Sequence, residues 1–198
     1  MRANIFQQYF GDKIKIKKDF HITDHSKKLT TNSVFFARQG VYSHGNDFIN
    51  DNLIQKAKFI FSSKRAKVKS DNFIYVPNLE SKLLNFLFAY WDIPKTTKFY
   101  GITGTNGKTT TAFILYQLLK KLNKNVVYIG TIGAHINSKW YKVFNTTPGL
   151  FNLFQLIGRQ KNKDELCVVL EVSSHALDQD RLGKLRFDSS LITNIASD

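Results

Sequence analysis

The chain has 198 residues, of which 42% are hydrophobic, and it carries a formal net charge of +14. This length allows one large or two small domains, and the hydrophobic content is sufficient for a core, which excludes global disorder. No stretch reaches the ~18 consecutive apolar residues of a membrane-spanning helix, and the first residues lack an apolar signal-peptide core. We therefore expect no membrane insertion and a cytoplasmic location. The single cysteine, Cys167, excludes a disulfide framework.

The positive charge is scattered along the chain. Its densest run, Lys13–Lys18, alternates lysine with isoleucine and predicts a charged edge strand. There is no basic stripe interleaved with aromatic residues, and there is no helix-turn-helix pattern or zinc-ligand spacing. We therefore predict no nucleic-acid partner, and the charge favours a small anionic ligand.

Residues 1–95 form a first predicted unit, in which short apolar strands alternate with segments of helical spacing. The predicted strands are Val34–Ala37, Lys58–Ser62 and Phe73–Val76, and the predicted helices are Phe48–Ala57 and Leu79–Trp91. A loop follows Gly40, and Pro94 with the polar residues Lys95–Lys98 predicts a linker. The alternation of strands and helices predicts an α/β fold.

The second predicted unit, residues 96–198, opens on the sequence GITGTNGKTTT at Gly101–Thr111. Its glycines allow backbone angles that let successive amides surround an anion. Lys108 adds a positive charge, and Thr109 offers a hydroxyl to Mg²⁺. The predicted helix Thr109–Leu122 directs its positive dipole end at the same point. The segment predicts a nucleotide phosphate site, in a glycine spacing shorter than the general G-x-x-x-x-G-K-[ST] pattern.

Other polar residues follow the remaining predicted strands of this unit. Thr131 follows Val126–Ile129, Glu171 follows Leu166–Leu170, and Asn194 follows Ser190–Thr193. In an open parallel sheet, ligands bind beyond the carboxyl ends of the strands. The sequence therefore predicts that these residues meet the phosphate loop. For Glu171, an ion pair at the end of the sheet is the alternative interpretation.

Four segments together resemble the Mur ligase family, and within it the MurE branch. They are Gly101–Thr111, Asn145–Pro148 (NTTP), Glu171–Arg181 (EVSSHALDQDR) and Thr193–Asp198 (TNIASD). The first unit resembles the family's uridine-binding domain in His25–Lys27, Val34–Ala37 and Gly40–Phe48. Because family members run to more than twice this length, the resemblance is to an N-terminal portion without the C-terminal ligase domain.

The resemblance implies a small uridine-binding α/β domain (1–95), followed by an incomplete parallel-sheet P-loop ATPase domain (96–198). It implies an ATP- and Mg²⁺-dependent ligase of peptidoglycan synthesis. That enzyme adds a third amino acid, which we expect to be meso-diaminopimelate, to UDP-N-acetylmuramoyl-L-alanyl-D-glutamate through an acyl phosphate. We expect it to act as a monomer.

The resemblance also assigns roles to individual residues. Lys108 and Glu171 are the expected catalytic residues, and Thr109 and Glu171 the expected Mg²⁺ ligands. The expected ATP-binding residues are Gly104, Thr105, Asn106, Gly107, Lys108, Thr109 and Thr110. The expected contacts of the UDP-muramoyl-dipeptide are Ser26, Val41, Tyr42, Ser43, Asn145, Thr146, Thr147, Ser173, Gln179 and Arg181.

Three alternatives remain open from the sequence. Another ATP-dependent amide ligase, such as folylpolyglutamate synthetase, or a P-loop small-molecule kinase would also use Gly104–Thr109. A basic nucleic-acid-binding module would account for the charge alone.

A structural alternative exists for Thr146 and Thr147. Both are also explained as caps of a helix that begins at Pro148.

Overall fold

The structure, a computed structural model, describes residues 3–11, 14, 20–65 and 70–196. Its internal contacts divide the chain into two compact units, residues 1–90 and 91–198. The division comes at the end of a helix, and Lys98, assigned to the linker from the sequence, already lies in a strand. Apart from Ile14, the predicted edge strand Lys13–Lys18 lies outside the described residues.

The described part of the first unit contains a four-stranded parallel sheet with strand order β1-β2-β3-β4. Its helices and strands, in chain order, are α1 (Ala3–Phe10), β1 (Ile22–Thr23), β2 (Ser33–Ala37), α2 (Asp51–Lys56), β3 (Ala57–Ser62), β4 (Phe73–Tyr75) and α3 (Leu79–Tyr90). Phenylalanine rings from helices and strands form its core: the Phe10–Phe61, Phe6–Phe86 and Phe36–Phe61 centroids are 4.6, 4.9 and 5.1 Å apart.

The helix predicted over Phe48–Ala57 is shorter in the structure. Asn50 has an extended backbone, and its side chain accepts a hydrogen bond from the Leu53 amide, so α2 begins at Asp51. The preceding Gly45–Phe48 forms a separate 3₁₀ turn. Apolar spacing alone did not reveal this cap.

The described part of the second unit contains a six-stranded sheet with strand order β10-β5-β9-β6-β7-β8. Its elements, in chain order, are β5 (Lys98–Thr103), α4 (Lys108–Lys121), β6 (Val126–Gly130), β7 (Gly133–Ile136), β8 (Lys139–Tyr141), α5 (Leu150–Ile157), β9 (Cys167–Glu171), α6 (Ser174–Asp178) and β10 (Ser189–Ile192). Strands β10, β5, β9 and β6 are parallel. This arrangement confirms the predicted α/β class and brings the carboxyl ends of these strands to one edge.

Helix α4 packs on the sheet through Ala112 and Tyr116, which are buried against Val126, Tyr128 and Val169. Strand β9 is buried along its whole length. Its first residue, Cys167, is buried, and burial raises the pKa of its thiol.

The sequence favours a hairpin arm at Trp140–Phe144, whereas the structure places the hairpin earlier in the chain. The hairpin consists of β7 and β8, which are antiparallel to their neighbours and joined by Asn137–Ser138. Both turn residues have positive φ, 49° and 62°, as a tight two-residue hairpin turn requires. Because Phe144 lies beyond β8 and is exposed, it does not extend the arm.

Candidate functional site

The loop between β5 and α4 makes a tight turn in which two glycines have positive φ. Gly104 (φ 133°) lies against the segment after β10, where a Cβ would come within 2.8 Å of the Asn194 carbonyl oxygen. Gly107 (φ 81°) is the left-handed residue from which α4 starts. Side chains that are larger than hydrogen are therefore excluded or strained at both positions.

The segment after β10 holds this loop in place. Asn194 accepts hydrogen bonds from two loop amides: its carbonyl from Thr105 N (3.1 Å) and its side-chain oxygen from Asn106 N (2.9 Å). The Thr193 hydroxyl contacts the carbonyl oxygens of Thr103 and Asn106. Two loop amides are thus engaged within the protein, and the first amides of α4 have no acceptor within their own helix.

Lys108 is the first residue of α4, and its side chain folds back over the loop. Its Nζ donates to the carbonyl oxygens of Gly104 (2.5 Å) and Thr105 (3.0 Å). A cation and the positive end of a 14-residue helix therefore share one place. This combination suits a phosphate group.

Glu171 ends β9 and is completely buried. Among the described residues, its carboxylate partners are hydroxyls and an amide, so the alternative of an ion pair at the sheet end is wrong. Oε2 accepts from the hydroxyls of Thr109 and Thr131, each at 2.9 Å. Oε1 accepts from Thr131 N at 3.2 Å and from the Tyr128 hydroxyl. The predicted meeting of Thr109, Thr131 and Glu171 is present in the structure.

Gly130 makes room for this carboxylate. A Cβ at this position would overlap the Glu171 carboxylate and the Tyr128 hydroxyl. Burial, followed by the hydrogen bond with Glu171, raises the pKa of Tyr128 far above its usual range. The phenol is therefore neutral and remains a donor.

Thr147 connects Glu171 to the residues beyond it. Its buried hydroxyl donates to the Glu171 carbonyl oxygen (2.8 Å) and accepts from the Ser173 amide (2.9 Å). Thr146, half-buried, shares a 3.1 Å hydrogen bond with Thr131. The alternative that these threonines cap the next helix is wrong, because Gly149 is the N-cap of α5 and no side chain caps it.

The remaining predicted residues of this unit lie in the same network or at its edge. Arg181 donates from Nε to Gln179 Oε1 (2.9 Å) and from a terminal nitrogen to the Thr147 carbonyl oxygen (3.2 Å). The Ser173 hydroxyl caps α6 by accepting from Ala176 N. Asn145 is exposed, two residues before Thr147. Arg181 is thus joined through Thr147 to the residue that carries the buried carboxylate, Glu171.

Comparison with known proteins identifies the family of this arrangement. Residues 102–198 match the Mur ligase middle domain. The UDP-N-acetylmuramoyl-L-alanyl-D-glutamate–2,6-diaminopimelate ligase of Fusobacterium nucleatum is 30% identical over 204 residues, covering 98% of this chain and 41% of the relative. The enzyme of the same name from Oceanobacillus iheyensis is 33% identical over 175 residues, covering 87% and 36%. The chain belongs to the Mur ligase family. It spans about two fifths of the length of these curated relatives.

Solved Mur ligase structures share the fold. A structure titled UDP-N-acetylmuramoyl-L-alanyl-D-glutamate–2,6-diaminopimelate ligase superposes with a TM-score of 0.69 at 23% identity, covering 98% of this chain and 40% of that one. A MurF structure from Acinetobacter baumannii superposes with a TM-score of 0.57 at 15% identity, covering 99% and 41%. In the described part of the chain, no helix combines the length and the apolar character that crossing a membrane requires.

The Mur ligase resemblance also assigned residues in the first unit, and these lie in two places. Ser26 opens a 3₁₀ turn and lines a groove of ≈ 440 Å³ together with Asp47, Asn50 and Lys56. Val41, Tyr42 and Ser43 form an exposed loop tip, with Tyr42 83% exposed. Of the described residues, those lining the groove do not include this tip.

A polar network fixes the base of that loop. Glu80 on α3 accepts from the Gln39 amide (3.1 Å) and from the Ser63 hydroxyl (2.9 Å). His44, buried, contacts the same hydroxyl through Nε2 at 2.9 Å, and its Nδ1 accepts from Asn46 N at 3.0 Å. The base of the loop is therefore held by Glu80 of α3, by Ser63 just after β3 and by the turn at Gly45–Phe48.

The residues around Glu171 fit Mg²⁺ only when a bound ligand supplies further oxygen atoms. Among the described residues, no group of three or more His, Cys, Asp or Glu side chains could hold a metal ion. Thr109 and Glu171 offer oxygen atoms alone, and Mg²⁺ is commonly held by one or two carboxylates together with substrate phosphates. The donor set thus matches a metal ion that arrives with a nucleotide.

The sequence pointed to most of this site but missed Tyr128 and Gly130. The signal for Tyr128 was a hydroxyl-bearing residue within the buried strand VVYIG, since a buried tyrosine hydroxyl needs a hydrogen-bond partner. The role of Gly130 depends on a contact 41 residues away and has no local signal.

Proposed function

We propose that this chain is the ATP-binding and UDP-muramoyl-dipeptide-binding portion of a MurE-type ligase. The observation that carries the proposal is the buried Glu171 carboxylate, which contacts Thr109 of the phosphate-type loop on one side and, through Thr131, Thr146 on the other. A nucleotide and a second substrate that meet at Glu171 are brought close enough for phosphoryl transfer.

In the proposed reaction, a carboxylate oxygen of the muramoyl-dipeptide attacks the γ-phosphorus of ATP. The new carboxylate–phosphorus bond forms as the bond to the β-phosphate oxygen breaks, and ADP leaves. An amine then attacks the acyl carbon, loses a proton and expels phosphate. The relatives' names suggest 2,6-diaminopimelate as the amine.

The chain's residues have distinct parts in this proposal. Lys108 and the first amides of α4 hold the β- and γ-phosphates, and their positive charge counts most as charge develops in transfer. Thr109 and Glu171 hold Mg²⁺, which when bound offsets repulsion between the phosphate and the attacking carboxylate. Arg181, Ser173, Thr146 and their neighbours Asn145, Thr147 and Gln179 bind the dipeptide portion, since an arginine suits carboxylate recognition.

In the first unit, Ser26 and the tip Val41–Ser43 are proposed to contact the uridine portion. The Glu80 network, which fixes the base of the tip, supports this role because a rigid base reduces the ordering cost of binding.

The test is calorimetric titration of the 198-residue chain with Mg²⁺·ADP and, separately, with UDP-N-acetylmuramoyl-L-alanyl-D-glutamate. Lys108→Ala should weaken nucleotide binding at least tenfold and leave UDP-sugar binding unchanged. Lys95→Ala, at an exposed position of the same unit, is the matched control. Nucleotide binding without any UDP-muramoyl-dipeptide binding would favour the small-molecule kinase instead, and equal nucleotide binding by Lys108→Ala would contradict the phosphate site.

A further inference from the structure

The two oxygens of the Glu171 carboxylate have different partners. Oε1 accepts from the Tyr128 hydroxyl and the Thr131 amide, both from the end of β6. Oε2 accepts only from hydroxyls among the described residues, those of Thr109 and Thr131. A threonine hydroxyl that donates its proton keeps lone pairs for a cation. Oε2 is therefore the carboxylate oxygen that contacts α4, through Thr109.

Tyr128 cannot swing away from Oε1. Its ring is completely buried and meets three aromatic rings from α4 and β8. These are Phe113 at 5.7 Å (86° between planes), Trp140 at 6.0 Å (73°) and Tyr116 at 6.0 Å (59°). Edge-to-face contacts of this kind fix the orientation of a ring. The missing side chain at Gly130 then lets hydroxyl and carboxylate meet.

We propose that Tyr128 is a positioning residue, which holds Oε1 of Glu171 so that Oε2 alone meets the Mg²⁺ carried by the nucleotide. This inference rests on the proposed function of the site. Mg²⁺ demands near-ideal octahedral geometry, so a carboxylate fixed in one rotation meets the ion at less cost than a mobile one. Tyr128 itself touches neither substrate nor metal in this proposal.

The chain offers a matched control in the same aromatic cluster. Tyr116 is also buried, and its hydroxyl contacts His135 Nδ1 at 2.5 Å rather than Glu171. Tyr128→Phe and Tyr116→Phe each delete one buried hydroxyl and keep the ring. A general effect of such deletions on folding would appear in both variants.

The experiment measures ADP affinity by calorimetry at increasing Mg²⁺ concentrations and in EDTA. In Tyr128→Phe, the Mg²⁺ concentration that gives half the enhancement of ADP binding should rise about tenfold, with ADP affinity in EDTA unchanged. Tyr116→Phe should change neither quantity. If Tyr128→Phe keeps the Mg²⁺ requirement of wild type, this inference is overturned and the proposed function is not. If the wild-type chain binds no ADP in the presence of Mg²⁺, both the proposed function and this inference are overturned.

A second measurement does not depend on the folding of a variant. In wild-type chain labelled with ¹³C at tyrosine Cζ, Mg²⁺·ADP should shift one of the eight tyrosine signals that ADP in EDTA leaves in place. The Tyr116→Phe chain should retain that signal. If no signal responds specifically to Mg²⁺·ADP, the inference is overturned as well.

Discussion

The hydroxyl of Thr109 donates a 2.9 Å hydrogen bond to Oε2 of Glu171, although the two residues are 62 positions apart. Thr109 is the second residue of α4, and Glu171 is the last residue of β9. The bond therefore joins the start of α4, directly after the loop from Gly104 to Gly107, to the central strand of the sheet. It also fixes the direction of the hydroxyl proton, so that the oxygen lone pairs are available to a cation.

Substitution of Thr109 tests this bond. Thr109→Val removes the hydroxyl at nearly equal volume and should weaken Mg²⁺-dependent ADP binding about tenfold, because the proposed metal ligand and a partner of Glu171 are both lost. Thr109→Ser keeps the hydroxyl and should stay within about twofold of wild type. The measurement is calorimetric titration with ADP in the presence of Mg²⁺. Equal losses in both variants would indicate that the methyl group, and not the hydroxyl, matters.

Gly130 should tolerate no side chain. Gly130→Ala places a Cβ on the Glu171 carboxylate and the Tyr128 hydroxyl, and such overpacking costs about 1–3 kcal/mol of the free energy of unfolding. Lys95→Ala, at an exposed position of the same unit, is the control. Urea denaturation followed by circular dichroism measures both. A Gly130→Ala chain as stable as Lys95→Ala would contradict the packing.

Thr147 should matter for stability through its hydroxyl. Thr147→Val leaves the buried Ser173 amide and Glu171 carbonyl without the hydroxyl that joins them, and each unsatisfied buried group costs about 1–3 kcal/mol. Thr96→Val, at an exposed position of the same unit, should be within about 0.5 kcal/mol of wild type. The midpoint of urea unfolding distinguishes the two, and a neutral Thr147→Val would show that water replaces the hydroxyl.

The first unit should lose stability in mild acid through His44. Burial, with the nearby Lys64, holds the pKa of His44 below its usual 6.5, so the unfolded chain binds its proton more readily. Stability is therefore unaffected well above pH 6.5 and falls as the pH drops through 6.5 towards the lower folded pKa, by at most ~1.4 kcal/mol per pH unit.

His44→Asn is the matched variant for this pH dependence, since an asparagine can cap the turn at Asn46 but does not titrate. Unfolding measured at intervals from pH 8 to pH 5 should show a shallower loss in His44→Asn than in wild type. Burial also lowers the pKa of His21 in the same unit, so part of the acid sensitivity should remain. Identical pH profiles would rule out His44 as a contributor.

The sequence predicted the elements better than the contacts between them. The strands predicted at Val126–Ile129 and Leu166–Leu170 are continuous apolar runs. The rule that ligands gather at the carboxyl ends of parallel strands then predicted the meeting of Thr109, Thr131 and Glu171. The hairpin was predicted too far along the chain, because the true turn between β7 and β8, Asn137–Ser138, lacks glycine and proline and gives no clear turn signal.

The contacts of Thr147 could not be predicted from the sequence for a different reason. Its alternative as a helix cap followed from local sequence, whereas its partners at Glu171 and Ser173 lie 24 and 26 residues further on. A hydroxyl can satisfy either kind of partner, and only the packed chain decides which one it meets.

The network at Glu80 divides the loop after β2 into parts with different freedom to change. Gln39 and His44 form a β-bridge at the base of the loop. Glu80 of α3 and Ser63, just after β3, hold that bridge through hydrogen bonds. A substitution there disturbs several hydrogen bonds at once. Val41, Tyr42 and Ser43 are exposed, so their side chains can be exchanged at little cost to folding. Selection can thus alter the side chains of the tip over many generations while the base stays the same.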